Sequence, residues 1–249
     1  ECKTCPLYQS CAYSQVFEGV MSDEEQHSLP YVIQIPQSSN RFIAKGQTWS
    51  FGMVLMGNAI HQLPIIAYAW QKACEDGFSK DQSKAQLLAI YQNNQIIYQP
   101  NKPLLPHKAY QMPSQPITNR VHLDFVSPLR IQHQNYIVLK PEELTAPIIL
   151  IALAKRIQRL AELHATPVQL DLAQLLAAAQ QITIEPHLKR ATMTRYSNRQ
   201  QRLMNLDGLI GRISLTGDLS AFNELLTLGQ QVHLGKNATM GLGQYQLTI

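Results

Sequence analysis

The residues with the most chemical promise lie near the C-terminus. The run His233-Leu234-Gly235-Lys236-Asn237-Ala238-Thr239-Met240-Gly241-Leu242-Gly243 gathers glycines, a lysine and a histidine into one short stretch. Glycines at this density permit positive φ angles and let backbone amides approach a phosphate, to which Lys236 adds a point charge. The alternative is a glycine-rich hairpin without a ligand. His233, at the mouth of the loop, is a candidate acid-base group, or it packs against the neighbouring strand or holds the loop by a hydrogen bond. A short way upstream, Lys189, Arg190, Arg195, Arg199, Arg202 and Arg212 form a basic cluster. Arg195, Arg199 and Arg202 share one face if the segment is helical and fan out if it is a loop. Either way they present forked donors that suit phosphate oxygens; the alternative is a solvated basic face. Tyr196 within the cluster offers a ring for stacking, or serves as a core tyrosine. At the other end of the chain, Cys2, Cys5 and Cys11 form a C-x-x-C run with a third cysteine after it. They can give three thiolates to a structural zinc, with Cys74 or a histidine as the fourth ligand, or remain ordinary thiols. His27, His61, His107, His122, His133, His164 and His187 are scattered without ligand spacing and read as surface or core residues.

The elements that must position these groups are clearest in the C-terminal half. Arg120 to Val126 alternates polar and apolar residues, as a half-buried strand does, and Pro128 is expected to end it. From Ala146 to His164 the residues Ile149, Leu150, Leu153, Ile157, Leu160 and Leu163 recur at helical spacing, with Lys155, Arg156 and Arg159 on the other face. A second helical run covers Asp171 to Gln181. Ile182 to Ile184 starts a strand that continues toward Tyr196 with an interruption near Pro186. Leu209 to Leu215 is a further strand, and Thr216-Gly217-Asp218 offers the cap for a helix from Ser220 to Leu228 that Gly229 stops. Tyr245 to Ile249 closes as a strand. The order strand, helix, strand, strand, helix, strand is that of a ferredoxin-like domain.

The N-terminal half repeats the closing part of that order. Phe51 to Asn58 is a strand ending in Gly-Asn, followed by a helix from about Leu63 to Cys74 and a stop at Gly77, which parallels Gly211 to Asp218, the next helix and Gly229. Tyr31 to Ile35 supplies a strand before it and Ala85 to Tyr91 one after it. The expected fold class is therefore α+β, with tandem ferredoxin-like (RRM-like) domains of which the first lacks its opening strand and helix in this chain. The expected boundaries are 1–98 for the first domain, a proline-rich linker over 99–116, and 117–249 for the second domain with its glycine-rich loop.

A length of 249 residues suits two ordinary domains with real cores. No run of about 18 consecutive apolar residues is present, so a membrane partner is not expected. Glu1 is followed by neither a basic region nor a signal-like apolar run, and the few cysteines crowd at one end, which points to a reducing, cytoplasmic setting. A net charge of +4 is modest, so any polyanion must be met by the local cluster rather than by the global excess.

Several blocks carry a family resemblance. They are Arg195-Tyr196-Ser197-Asn198-Arg199-Gln200, then Gly208-Leu209-Ile210-Gly211 with the strand to Gly217-Asp218-Leu219, and the loop from His233 to Gly243. Fainter matches are Cys5-Pro6-Leu7, Cys11-Ala12-Tyr13, Phe17-Glu18, and Asp124 to Arg130. In these blocks the chain resembles the CRISPR repeat-processing endoribonucleases of the RAMP superfamily, whose fold is a pair of ferredoxin-like domains. The resemblance implies binding of CRISPR repeat RNA or guide RNA. It implies one cut by metal-independent attack of a ribose 2′-hydroxyl, leaving 2′,3′-cyclic phosphate and 5′-hydroxyl ends with no cofactor required. It makes Lys189, Arg190, Arg195, Tyr196, Arg199, Arg202, Gly235, Lys236, Gly241 and Gly243 the expected RNA-binding set, with Tyr196 stacking on a base, and His233 the candidate catalyst. In many members of the family the catalytic histidine lies in or near the first helix, which has no counterpart here. Two other readings follow from the same family: a non-catalytic guide-RNA-binding subunit, and the RNA-processing domain of a larger fusion linked to spacer acquisition. Other CRISPR effector or spacer-acquisition proteins are the further partners it suggests.

Arg199→Ala is expected to weaken repeat RNA binding and to flatten its salt dependence, because each phosphate contact removed releases fewer counterions. Titrations at two salt concentrations check this, and unchanged affinity at both would take Arg199 out of the interface.

Overall fold

The computed structural model describes residues 4–18, 28–36, 42–78, 81–109, 111, 116–117, 119–197 and 201–249. After a short π-helical turn at Ser14–Glu18, the N-terminal half contains β1 (Tyr31–Gln34), β2 (Gly52–Leu55), α1 (Leu63–Asp76), β3 (Ile90–Gln92) and β4 (Gln95–Tyr98). The C-terminal half follows with β5 (Arg120–Leu129), β6 (Gln132–His133), β7 (Tyr136–Ile137), α2 (Ala146–His164), α3 (Leu172–Ala179) and β8 (Thr183–Ala191). It ends with β9 (Thr194–Ser197), β10 (Arg202–Asn205), β11 (Gly208–Thr216), α4 (Asn223–Val232) and β12 (Tyr245–Thr248).

Four strands of the C-terminal half form one antiparallel sheet in the order β12-β5-β11-β8. With α2 after the first of these strands and α4 after the third, this is the ferredoxin-like arrangement expected from the sequence. The alternation in β5 buries Val121, Leu123 and Phe125 and leaves His122 and Asp124 on the opposite, open face. The buried side packs on Ile149, Leu150, Leu153, Ala154 and Ile157 of α2 and on Leu225 and Leu226 of α4. Each fully buried aliphatic side chain of this kind contributes about 2 kcal/mol of transfer free energy. Thr145 caps α2 by accepting the Ile148 amide, and Asp171 caps α3 by accepting the amides of Ala173 and Gln174.

Four local expectations change. Pro128 does not end β5, which runs to Leu129. The register with β11 shifts between Leu209 and Gly211, and this bulge leaves the proline's missing N–H with no ladder partner to deprive. Pro186 does not interrupt β8 either, because β8 is the sheet's edge strand. Gly229 sits inside α4 rather than stopping it. A side chain there would meet the Tyr245 hydroxyl, which donates to the Leu226 carbonyl at 2.6 Å, so the glycine is a packing notch and the helix continues to Val232. Finally, Ala85 to Tyr91 does not add a strand to β1 and β2. Asn93 and Asn94 both take positive φ, the backbone of a tight I′ turn, and fold β3 onto β4 as a separate hairpin.

The internal repeat is visible in the structure. Shortly after β2 and β11 comes a glycine (Gly57 and Gly217), a 3-10 turn begins at Gly57 (Gly57–Gln62) and soon after Gly217 (Ser220–Phe222), and each turn leads into a helix. In the N-terminal half β1 pairs antiparallel with β2, and a smaller cluster of Val16, Ala59 and Ile66 forms its interior.

The two halves meet at two close backbone contacts. Gly57 lies against the His164 carbonyl at the end of α2, where a side chain would collide with that oxygen, and His164 itself is within 2.6 Å of the Ser28 carbonyl through Nε2. On the other side, Gly241 lies against Ile33 and Ile35 at β1. The loop bearing Gly241 is in turn held to β5, since Gly243 donates its amide to the Pro128 carbonyl at 3.0 Å. Gly243 has φ of 68° and would drive a side chain into the Leu234 carbonyl. Gly243→Ala is therefore expected to cost about 2 kcal/mol or more, combining left-handed strain with displacement of that carbonyl. Urea unfolding checks this; a midpoint equal to that of the unaltered chain would mean the loop relaxes without loss.

Candidate nucleic-acid interface

The basic cluster is neither a helix nor an irregular loop. Between β8 and β11 the chain makes a β-hairpin of β9 and β10, pairing Arg195 with Met204, Tyr196 with Leu203 and Ser197 with Arg202. Directly paired residues share a face, so Arg195, Arg202 and Met204 lie on one side and Tyr196 with Leu203 on the other. Tyr196 is 51% and Leu203 71% exposed, which makes Tyr196 a surface tyrosine and not part of a core. Its hydroxyl donates to Gln201 at 3.0 Å. Arg199 lies outside the described residues.

A polar knot at Asp207 fixes the base of this hairpin. Its carboxylate accepts from Arg190 at 2.7 Å and from the Met193 amide at 3.1 Å, and its amide donates to the Asn205 side chain at 2.7 Å. Arg130 Nη1 donates to the Asp207 carbonyl at 2.5 Å. The Arg190 guanidinium holds the Asp207 carboxyl below the usual carboxylate range. Arg190 therefore has a structural partner while its side chain stays 55% exposed. Lys189 is exposed on the edge strand β8. Arg195 reaches Met240 Sδ with Nη1 at 2.8 Å, which brings the hairpin over the glycine-rich loop. It also faces the phenol of Tyr31 on β1, whose pKa burial raises and the Arg195 charge opposes.

The glycine-rich loop is closely tied to the protein. Lys236 donates its amide to the Arg130 carbonyl at 2.7 Å, Gly241 to Ala238 at 2.9 Å and Gly243 to Pro128 at 3.0 Å. A side chain at Gly235 would meet the Arg130 carbonyl. The close backbone approaches these glycines permit are thus made to β5, β1 and the loop itself, which favours a packed hairpin over an open phosphate cradle. Lys236 contributes a partly exposed ammonium at its rim.

His233 is fully buried. It ends α4 with φ of 57°, and its carbonyl and that of Val232 accept hydrogen bonds of 2.7 to 3.0 Å from the buried guanidinium of Arg156. Burial lowers the Arg156 pKa to about 10, and the cation caps the negative end of the helix. Neither ring nitrogen of His233 meets a partner at hydrogen-bonding geometry. Burial first and the Arg156 charge second push its pKa down to about 4, outweighing the Leu242 carbonyl, which favours the protonated ring. These facts favour packing over acid-base catalysis for His233.

Of the cysteine run, Cys2 lies outside the described residues. Cys5 is an exposed free thiol and Cys11 a partly exposed one, while Cys74 is buried on α1, where burial pushes its thiol pKa up. Among the described residues no three His, Cys, Asp or Glu side chains gather as a metal site. No described helix is long and apolar enough to cross a membrane.

The open face of the C-terminal sheet carries a second polar group, of which the basic cluster read from the sequence included only Arg212. His122 Nδ1 is 2.9 Å from Ser214 Oγ. Arg212 grips Asp124 through Nε at 2.6 Å and Nη2 at 3.0 Å, and Thr248 donates to the same carboxylate at 3.3 Å. The Arg212 fork holds the Asp124 carboxyl below its usual range. Alternation in β5 put His122 and Asp124 on one face; only strand pairing brings them to Ser214 and Arg212.

A family model described as the CRISPR-associated endoribonuclease Cas6 matches residues 123–245. This chain belongs to the Cas6 family. A second model, described as an N-terminal domain, matches residues 1–111. Among solved structures, a Thermus thermophilus Cas6 seen as a product complex has a TM-score of 0.59 at 13% identity, over 90% of this chain and 84% of that one. A histidine-to-alanine mutant of another Cas6 has a TM-score of 0.54 at 14% identity, over 96% and 88% of the two chains. A product complex of that second Cas6 gives 0.53 at 14%, over 90% and 84%. No curated protein sequence matches. The tandem ferredoxin-like fold of the Cas6 structures is the fold class expected here from sequence, and the chain is a CRISPR RNA-processing endoribonuclease by family.

The burial of His233 has a measurable consequence. An unfolded histidine titrates near 6.5 and this one near 4, so as pH falls the unfolded chain takes up the proton first. Stability present above pH 6.5 is lost as pH falls toward 4, by on the order of 3 kcal/mol. His233→Asn removes the titration and tolerates positive φ. Urea midpoints at neutral and mildly acid pH are expected to separate less in the variant; an equal drop in both proteins would contradict this.

Proposed function

We propose that the chain binds CRISPR repeat RNA along the edge formed by the β9–β10 hairpin and the rim of the glycine-rich loop. In this reading it cuts the RNA once by metal-independent attack of a ribose 2′-hydroxyl, giving a 2′,3′-cyclic phosphate and a 5′-hydroxyl. The observation that carries the reading is the hairpin. A projecting two-stranded element presents arginines on one face and an exposed tyrosine beside a leucine on the other, and the buried Asp207 fixes its root to the sheet. Guanidinium forks suit phosphate oxygens, and an exposed aromatic ring suits a nucleobase. Lys189, Arg195 and Arg202 then act as phosphate contacts, Tyr196 as a stacking platform, and Arg190 as both root and contact. Membership of the Cas6 family supplies the substrate class and the type of reaction.

One observation favours a second reading, a guide-RNA-holding protein that does not cut. The histidine nearest the loop is buried and unavailable to a ribose. Incubation of the purified chain with end-labelled repeat RNA in EDTA separates the two. A single cut with a cyclic phosphate or 3′-phosphate and a 5′-hydroxyl is the expected outcome. Tight binding with the RNA left whole would instead support the holding protein and remove the cleavage assignment.

A further inference from the structure

With His233 enclosed and His164 buried against the Ser28 carbonyl, two histidines on the open face of the C-terminal sheet stand out. His122 on β5 is partly exposed, and its Nδ1 is anchored on the hydroxyl of Ser214, which is itself only 3% exposed. A ring fixed at one nitrogen by a buried partner can present the other in a constant direction. Arg212 lies two residues from Ser214 along β11, hence on the same face, and keeps half of its side chain exposed while Asp124 fixes its fork. On the other ladder of β11, His187 of β8 stands directly opposite Arg212 and is exposed. Arg212 thus has His187 beside it and His122 diagonally across from it. The two histidine backbones are separated by two strand spacings and offset by two residues along the strands, roughly 12 Å in all, which leaves room for a phosphodiester between the rings.

We propose that His122 and His187, flanking Arg212, are the base and the acid of RNA cleavage. This rests on the endoribonuclease reading above and adds the groups that would perform it. His122 Nε2 takes the proton of the 2′-hydroxyl as the 2′ oxygen bonds to phosphorus. The bond from phosphorus to the 5′ oxygen breaks, and that oxygen takes a proton from protonated His187. The products are a 2′,3′-cyclic phosphate and a 5′-hydroxyl, with His122 left protonated and His187 neutral until both exchange with water. The Arg212 cation offsets the charge that builds on the phosphorane oxygens. Ser214 is a positioning residue. The other charged groups on this face are Asp124, held by Arg212; Glu185, opposite Ser214 on β8 and 3.5 Å from Arg120; and Lys189. Lys189 lies two residues beyond His187 toward the basic hairpin, so one continuous face leads from the hairpin to the paired histidines.

Single-turnover cutting of an end-labelled transcript of the chain's own CRISPR repeat, in EDTA from about pH 5 to 9 and with RNA affinity measured alongside, tests this. The unaltered chain is expected to give a bell-shaped profile. His122→Gln and His187→Gln are each expected to cut about a hundredfold more slowly or worse at unchanged affinity, the first losing the acid limb and the second the alkaline limb. Ser214→Ala is expected to slow cutting less and to move the acid limb. Either histidine variant cutting at the rate of the unaltered chain overturns the assignment and leaves the RNA-processing reading in place. An unaltered chain that binds the repeat without cutting it overturns both.

Discussion

The loop from His233 to Gly243 joins elements that would otherwise have no reason to meet. It leaves α4 through a positive-φ histidine, bonds to the carbonyls of Pro128 on β5 and of Arg130 just after it, and passes against Ile33 and Ile35 at β1 before β12 closes the sheet. Backbone comes so near backbone along this path that glycine is required at Gly241 and Gly243; a Cβ at either would occupy the place of a neighbour's atoms. The same contacts fix the register of β12, hold the N-terminal half on the C-terminal one, and set Met240 beneath Arg195 of the hairpin. A loop rich in glycine and lysine has the composition of an anion site, yet in this fold its amides serve to assemble the molecule.

Charge is placed by the same logic of satisfaction. Two cations are deeply committed: Arg156, which closes the end of α4, and Arg130, which reaches the carbonyl of Asp207. Arg156 is stabilised there because three hydrogen bonds to the Val232 and His233 carbonyls replace its water, and the neighbouring His233 is kept neutral first by its burial and second by the Arg156 charge. Asp207 is the buried anion that gives the hairpin a rigid root, since a carboxylate so enclosed needs the fork of Arg190 and the Met193 amide. Lys189 on the edge strand and the arginine face of the hairpin remain at the surface. The division between internal and surface cations, rather than the modest net charge, is what gives the molecule an edge suited to a polyanion.

Much of the architecture was legible from residue pattern. The alternation of β5 and the apolar stripe of α2 follow from local period, and they gave the ferredoxin-like order and its partial repeat; Asp218, expected to cap the helix after β11, instead accepts the Ser220 amide in a turn ahead of α4. The misreadings share a cause. Pro128, Pro186 and Gly229 are punctuation signs whose meaning depends on neighbours: a bulge opposite one proline, a sheet edge beside the other, and the Tyr245 hydroxyl against the glycine. The hairpin of β3 and β4 had a local signal in Asn93-Asn94, a dipeptide that takes positive φ readily, which the expectation of one strand over Ala85 to Tyr91 passed over.

For the site, the residue types themselves determined which chemistry was available: a basic cluster for phosphate, histidines for proton transfer, and family blocks that named the kind of RNA. Tertiary structure alone decided which histidine is open to solvent. His233 and His122 are indistinguishable as letters, each standing between a valine and a leucine. The packing of α4 against the loop encloses the first, and the pairing of β5 with β11 sets the second on a buried hydroxyl one ladder away from a guanidinium. Burial and cross-strand pairing are sums over residues far apart in the chain, and a local pattern carries no record of them.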